Sequence, residues 1–189
     1  PLCFKKRVYG QGYGFRDVPG IADEAGSATF RKTTQCTPFR IASISKPVTS
    51  LTILRLLQMG SLSLSDQVFG SGGILQFMSD SPKSCCPIAD NRIFQVTVDH
   101  LLIHTGGWNR NLAFDPMFRS RTVASALGIV GPSTCEDVIY YMFGQNLQHE
   151  PGSTYAYSNF GYCILGQVIR QVTGLDYEEA VRQLLLDPA

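Results

Sequence analysis

Three short stretches hold residue types suited to nucleophilic chemistry: Ser43-Ile44-Ser45-Lys46, Tyr157-Ser158-Asn159 and His104-Thr105-Gly106-Gly107. A serine hydroxyl is a poor nucleophile until a neighbouring base removes its proton. At the first turn of a helix, residues three apart share a face, which lets the Ser43 hydroxyl meet the Lys46 amine. Lysine accepts a proton only when neutral, a form favoured by desolvation or by a nearby positive charge. The helix N-terminus adds positive potential where negative charge would develop, and the Ser43 amide is a candidate oxyanion donor. Tyr157 and Asn159, two apart on an extended turn, can face one cleft. A phenol there can pass a proton to a leaving group, and an amide can orient a nucleophile or bind a substrate carbonyl. Patterns this short arise by chance, so their placement carries the weight.

Competing constellations are weaker. His100 and His104 stand four apart on a helical segment, with His149 as a conceivable third ligand, but there is no H-E-x-x-H pattern and Gly106-Gly107 stops the helix at once. Glu150 and Asp115 could be drawn as a glycosidase pair, yet separation along the chain says nothing of separation in space. Glycines 10, 12 and 14 fail the dinucleotide fingerprint, because Phe15 and Asp17 stand where the third glycine is needed. No metal and no cofactor are expected. The six cysteines (3, 36, 85, 86, 135 and 163) include no C-x-x-C, and disulfides and buried thiols stand as equal readings.

The elements that must position these residues follow from periodicity. Alternation over Val8–Asp17, Ala28–Lys32 and Phe39–Ile41 predicts three short strands. Val48, Leu51, Leu54 and Leu57, flanked by Ile44, Ile53 and Met59, predict a helix covered around most of its circumference and ending at Gly60. A short helix is expected near Ile74–Met78, a Thr97-capped one to Leu102, and another over Cys135–Phe143. Ser158 is expected to cap a helix striped by Leu165, Val168, Ile169 and Val172 and ending at Thr173-Gly174, with a last helix from Tyr177 to about Leu186.

Composition limits the partners. The 189 residues carry 16 Lys+Arg against 15 Asp+Glu, a net charge of +1, with no basic run longer than Lys5-Lys6-Arg7. That disfavours nucleic acid and anionic membrane surfaces. No apolar run approaches the ~18 residues of a membrane span. Apolar residues make up 44% and charged ones 16%, enough for a large core. The chain starts at Pro1 and stops at Pro188-Ala189 just past a helical pattern, so both ends read as cut.

Taken in order, Phe39-Arg40-Ile41-Ala42-Ser43-Ile44-Ser45-Lys46-Pro47, then Leu101 to Gly107, then Pro151-Gly152 through Tyr157-Ser158-Asn159-Phe160-Gly161-Tyr162 and Leu165-Gly166 resemble the serine β-lactamase and penicillin-binding-protein superfamily. A tyrosine heading the second motif is similar to the branch of class C β-lactamases, D-Ala-D-Ala carboxypeptidases and esterases, which includes β-lactamase-like proteins of animals. The resemblance covers about residues 8 to 186. It implies a hydrolase of amides or esters acting through an acyl-serine intermediate. Ser43 would be the nucleophile, Lys46 its partner in proton removal, Tyr157 the general acid/base and Asn159 a positioning and substrate-binding residue. The His104 segment resembles the family's structural turn and is not assigned to catalysis.

The fold so implied is α+β, β-lactamase/transpeptidase-like: a partial antiparallel sheet plus a mainly helical region. Residues 1–42 would supply strands of the sheet, and 43–189 the helical region of the same domain. The chain departs from the family in lacking a Lys/His-x-Gly motif on a following strand, which normally lines the cleft and gives the second oxyanion amide. It therefore reads as a truncated form without its C-terminal strands. The implied partner is a small-molecule or peptide substrate. Oligomeric state is left open, and so is the compartment, with a lean to an extracytosolic or organellar one. The rival reading is a catalytically silent scaffold or regulatory protein of the same fold.

Overall fold

The computed structural model describes residues 10–14, 32–80, 83 and 85–188. The chain divides into two compact units, Pro1–Ile44 and Ser45–Ala189. In the first, Thr33 N donates to Gly14 O at 3.0 Å, residues 34–37 close a turn through the Thr34 and Thr37 hydroxyls, and Ala42–Ile44 form one 3-10 turn. Any side chain at Gly12 would collide with the Thr33 carbonyl, so the glycine there permits a close backbone approach.

The expected partial sheet is not found among the described residues. They contain no paired strands, only the isolated antiparallel bridge between Gln67 and Thr97 and the single bridge residue Lys32. Most of Val8–Asp17 and Ala28–Lys32 lies outside the described residues, whereas Phe39–Ile41 lies within them and is irregular. The physical reason is visible at Phe39 and Ile41, which are 62% and 49% exposed. Alternation defines a strand only where a neighbouring strand satisfies its backbone and a layer covers its apolar face. The described architecture is therefore helical.

The second unit contains α1 (Ser45–Gln58), α2 (Gln76–Asp80), α3 (Val98–Leu102), α4 (Ser120–Leu127), α5 (Cys135–Phe143), α6 (Asn159–Thr173) and α7 (Tyr177–Val181), the last extended by one π turn to Leu186. Local chemistry sets their ends. Thr97 Oγ1 accepts from His100 N while His100 Nδ1 accepts from Thr97 N, a reciprocal cap that opens α3. Thr134 and Asp137 do the same for α5. Ser158 Oγ accepts from Gly161 N at 3.0 Å to start α6, and Gly174, at φ 69°, ends it.

Phe69, Phe143, Phe160, Leu101, Ile164 and Ile169 are fully buried at the centre, each contributing on the order of 1.5–3 kcal/mol by leaving water. Edge-on ring contacts at 5.3 Å (Phe69–Phe143) and 4.8 Å (Trp108–Phe160) fix their orientation. A disulfide between Cys135 and Cys163 joins α5 to α6.

Helix α1 departs from its expected coverage. Its buried residues are Thr49, Thr52, Ile53 and Leu56, while Leu51 and Leu54 are each 49% exposed. Hydrogen bonds turn it this way: Thr49 Oγ1 and Tyr177 Oη lie 2.7 Å apart, Ser50 Oγ and Tyr162 Oη 2.9 Å. Thr52 Oγ1 donates to Val48 O, so its hydroxyl enters the core already satisfied.

Candidate active site

Lys46 is the second residue of α1 and is half-buried. Its Nζ donates to Asn159 Oδ1 at 2.6 Å, joining two motifs 113 residues apart. The same ammonium stands 4.7 Å from the Tyr157 ring centroid and 5.5 Å from that of Tyr162. Lys46, Tyr157 and Asn159 are thus brought together. Ser43 lies in the 3-10 turn of the first unit, directly before α1 in the chain, and is exposed. Ala42, which precedes it, has a left-handed backbone at φ 44°. Such a conformation costs about 1–3 kcal/mol at a non-glycine residue and is found at positions held for a purpose.

Asn159 is the first residue of α6, and its amide bridges two opposite charges. Nδ2 donates to Asp115 Oδ2 at 2.7 Å while Oδ1 accepts from Lys46. An ammonium can only donate and a carboxylate can only accept, so one orientation of the amide satisfies both. Asp115 is itself held: its Oδ1 accepts from Met117 N, and the Arg110 guanidinium lies 3.6 Å from Oδ2. The Arg110 Cζ stands 4.8 Å from the Tyr157 ring centroid, so that ring is approached by two cations. The result is a continuous chain of contacts from Arg110 through Asp115 and Asn159 to Lys46.

His104 organises the segment that carries the second motif. Its backbone is left-handed at φ 61°. Its carbonyl accepts from Ala156 N at 2.8 Å and its Nδ1 from Ser158 N at 3.2 Å. The ring lies 4.8 Å from Tyr157 and 5.1 Å from Tyr162. Burial, and secondarily the Lys46 charge, hold its imidazole below the usual range. Because Nδ1 accepts from Ser158 N, the neutral ring carries its proton on Nε2. Gly107, at φ 98°, completes the turn; a Cβ there would lie 2.8 Å from His149 O.

The other histidines have separate partners, His100 in the α3 cap and His149 Nε2 on Asn109 Nδ2 at 3.1 Å. Among the described residues no group of three or more His, Cys, Asp or Glu could hold a metal. Asp115 and Glu150 also belong to different networks, since Glu150 pairs with Arg92 at 2.8 Å. No helix among the described residues is long and apolar enough to cross a membrane.

A family model described as Beta-lactamase matches residues 5–189. The chain belongs to the beta-lactamase family. It is 28% identical over 178 residues to Protein flp of Staphylococcus aureus (strain NCTC 8325 / PS 47), covering 94% of this chain and 30% of that protein. It is 30% identical over 179 residues to Esterase EstB of Burkholderia gladioli, covering 92% of this chain and 41% of the esterase. Among solved structures it is similar to the octameric penicillin-binding protein homologue from Pyrococcus abyssi, with a TM-score of 0.63 and 28% identity over 96% of this chain and 36% of that one. The chain thus spans less than half the length of these three proteins.

Sequence spacing does not reach Asp115 and Arg110, which lie in the irregular stretch before the Pro116–Phe118 turn. Tyr162 carries a usable signal: it follows Asn159 by three on α6 and so shares its face.

Proposed function

We propose that this chain carries the nucleophile and proton-transfer residues of a serine hydrolase that cleaves an ester or amide through an acyl-serine intermediate. The observation that supports it most is the 2.6 Å hydrogen bond from Lys46 to Asn159, because it ties the S-x-x-K and Y-x-N motifs into one cluster with Tyr157 alongside. In this reading Ser43 Oγ attacks the substrate carbonyl carbon while Lys46 and Tyr157, acting as a coupled pair, take up its proton. The carbonyl oxygen becomes an oxyanion, to which the Ser43 amide donates. As the tetrahedral species collapses, Tyr157 returns the proton to the leaving oxygen or nitrogen, and acyl-Ser43 remains. Water then attacks the acyl carbon as the same pair takes its proton; the second tetrahedral species collapses by breaking the bond to Ser43 Oγ, the pair returns the proton to that oxygen, and the acid leaves.

Family membership together with the similarity to an esterase supports ester substrates first, with peptide amides and β-lactams as the other members of the acyl class. A catalytically silent reading draws on a separate observation, the lack of a sheet edge among the described residues to supply a second oxyanion amide. Turnover of a p-nitrophenyl ester, a chromogenic β-lactam and a peptide amide by the full-length protein and its Ser43→Ala variant separates the two. Hydrolysis of any one of them that falls by at least about 10³-fold in the variant supports the hydrolase. No turnover, or equal turnover by both proteins, overturns it in favour of the silent fold.

A further inference from the structure

The segment between α2 and the Asn91–Gln95 3-10 turn sets two thiols side by side. Cys85 is exposed, Cys86 is 6% exposed, and their Sγ atoms lie 3.2 Å apart. The backbone around them is fastened to α5 on both sides. Before the pair, Lys83 Nζ lies 3.1 Å from Asp137 Oδ1, and Cys86 N donates to Lys83 O at 2.8 Å. After it, Ala89 N donates to Phe143 O at 2.8 Å. Joining the two sulfurs thus takes an approach of about 1 Å within a turn that is already formed, with almost no chain entropy to lose. The same helix begins at Cys135, one half of the Cys135–Cys163 disulfide, so the unit already holds one oxidised pair.

We propose that Cys85 and Cys86 are a redox-modification site, an adjacent dithiol that a small-molecule disulfide oxidises to a ring disulfide and that reopens under reducing conditions which leave Cys135–Cys163 intact. The roles divide by exposure. Cys85 meets the oxidant: its thiolate attacks one sulfur of the oxidant, the oxidant's S–S bond breaks, and one small thiol leaves. Cys86 is screened from solution, and burial together with the neighbouring Cys85 pushes its thiol up to about 11. It reacts only once Cys85 carries a leaving group beside it; its sulfur then loses its proton to solvent, attacks Cys85 Sγ and expels the second small thiol. Two protein thiols lose two electrons, and one oxidant disulfide becomes two thiols. The ring is strained because successive Cα atoms stand about 3.8 Å apart, short of the ~4.4–6.8 Å that disulfides usually span. The Cα atoms of Cys135 and Cys163 are 5.9 Å apart, inside that span. Strain makes a disulfide the easier one to reduce, so the adjacent pair opens first.

Trypsin cleavage after Lys83 and Arg92 isolates both thiols on one peptide with no other cysteine. The test equilibrates the folded full-length protein across glutathione/glutathione-disulfide ratios, quenches with acid, alkylates and maps peptides by mass spectrometry. At oxidising ratios the 84–92 peptide is expected to be lighter by two hydrogens and to lose all alkylation. As the buffer becomes reducing, it is expected to turn doubly alkylated before the 135/163 peptides do. In Cys86→Ser, Cys85 should carry one glutathione; in Cys85→Ser, Cys86 should carry none. A wild-type peptide with two separately modified thiols at every ratio, Cys85 or Cys86 cross-linked to another cysteine, or reopening only together with Cys135–Cys163 would each overturn the proposal.

Discussion

The Asn159 amide stands between a carboxylate and an ammonium, and its direction decides whether Lys46 meets an acceptor or another donor. Asp115 enforces that direction from 44 residues away, so it acts on the proposed chemistry through Asn159 and through Arg110, which it pairs with beside the Tyr157 ring. Replacing Asp115 with Asn removes the charge that selects the orientation. Acylation of Ser43 by a fluorophosphonate is then expected to slow about tenfold or more, while stability changes by about 1 kcal/mol or less. Stopped-time labelling beside thermal melting checks the split. His104 gives a pH signature. Its folded value lies below the ordinary one, so the native state binds fewer protons than the unfolded chain. Its contribution is complete above about pH 6.5 and is lost as pH falls through the lower folded value, where a proton on Nδ1 would confront the Ser158 N–H. His104→Asn, which tolerates the left-handed backbone, should flatten this acid-side decline in urea midpoints measured from pH 7.5 down to pH 5.

Helices were legible where a cap and a long stripe agreed. Thr97 and Ser158 mark starts that the structure places at α3 and α6, and Thr173-Gly174 marks the end of α6. Helix α4 had no such signal, since Arg119 offers no side-chain cap and only Val123, Ala124 and Leu127 of its eight residues are apolar and at least half-buried. The face of α1 was misread because leucines outnumber threonines there, whereas the threonines enter the core by hydrogen-bonding to Tyr177 and to the helix backbone. The strands were illegible for a different reason: a strand is a property of a pair, and nothing local to Phe39–Ile41 names a partner. At this scale the Cys135–Cys163 link closes a loop of 28 residues between α5 and α6. Loop entropy predicts that Cys163→Ser loses about 2–4 kcal/mol, read as a lower denaturant midpoint that reductant no longer changes.

Across the molecule, one clamp holds the 3-10 turn at Asn91–Gln95 to the distant segment before the second motif. Arg92 grips both Asp90 oxygens, reaches Glu150 and donates to Leu147 O, while Leu147 N donates back to Asp90. The Arg92 hydrogen bond is the first cause of the Asp90 carboxyl lying at about 2, below the usual carboxylate range. That stability is present above pH ~4 and disappears as pH falls toward 2; Arg92→Ala should remove most of this acid-dependent step in a fluorescence-monitored titration. The family was readable because the motifs carry their order and spacing. Asp115 and Arg110 were not, because the contact that matters is made in space across 44 positions. The most direct test of the central proposal maps the adduct formed when the full-length protein meets a fluorophosphonate briefly. The prediction is a single adduct on the peptide bearing Ser43, absent in Ser43→Ala and formed at least about 10²-fold more slowly in Lys46→Ala. An adduct at another residue, or an undiminished rate without Lys46, would contradict it.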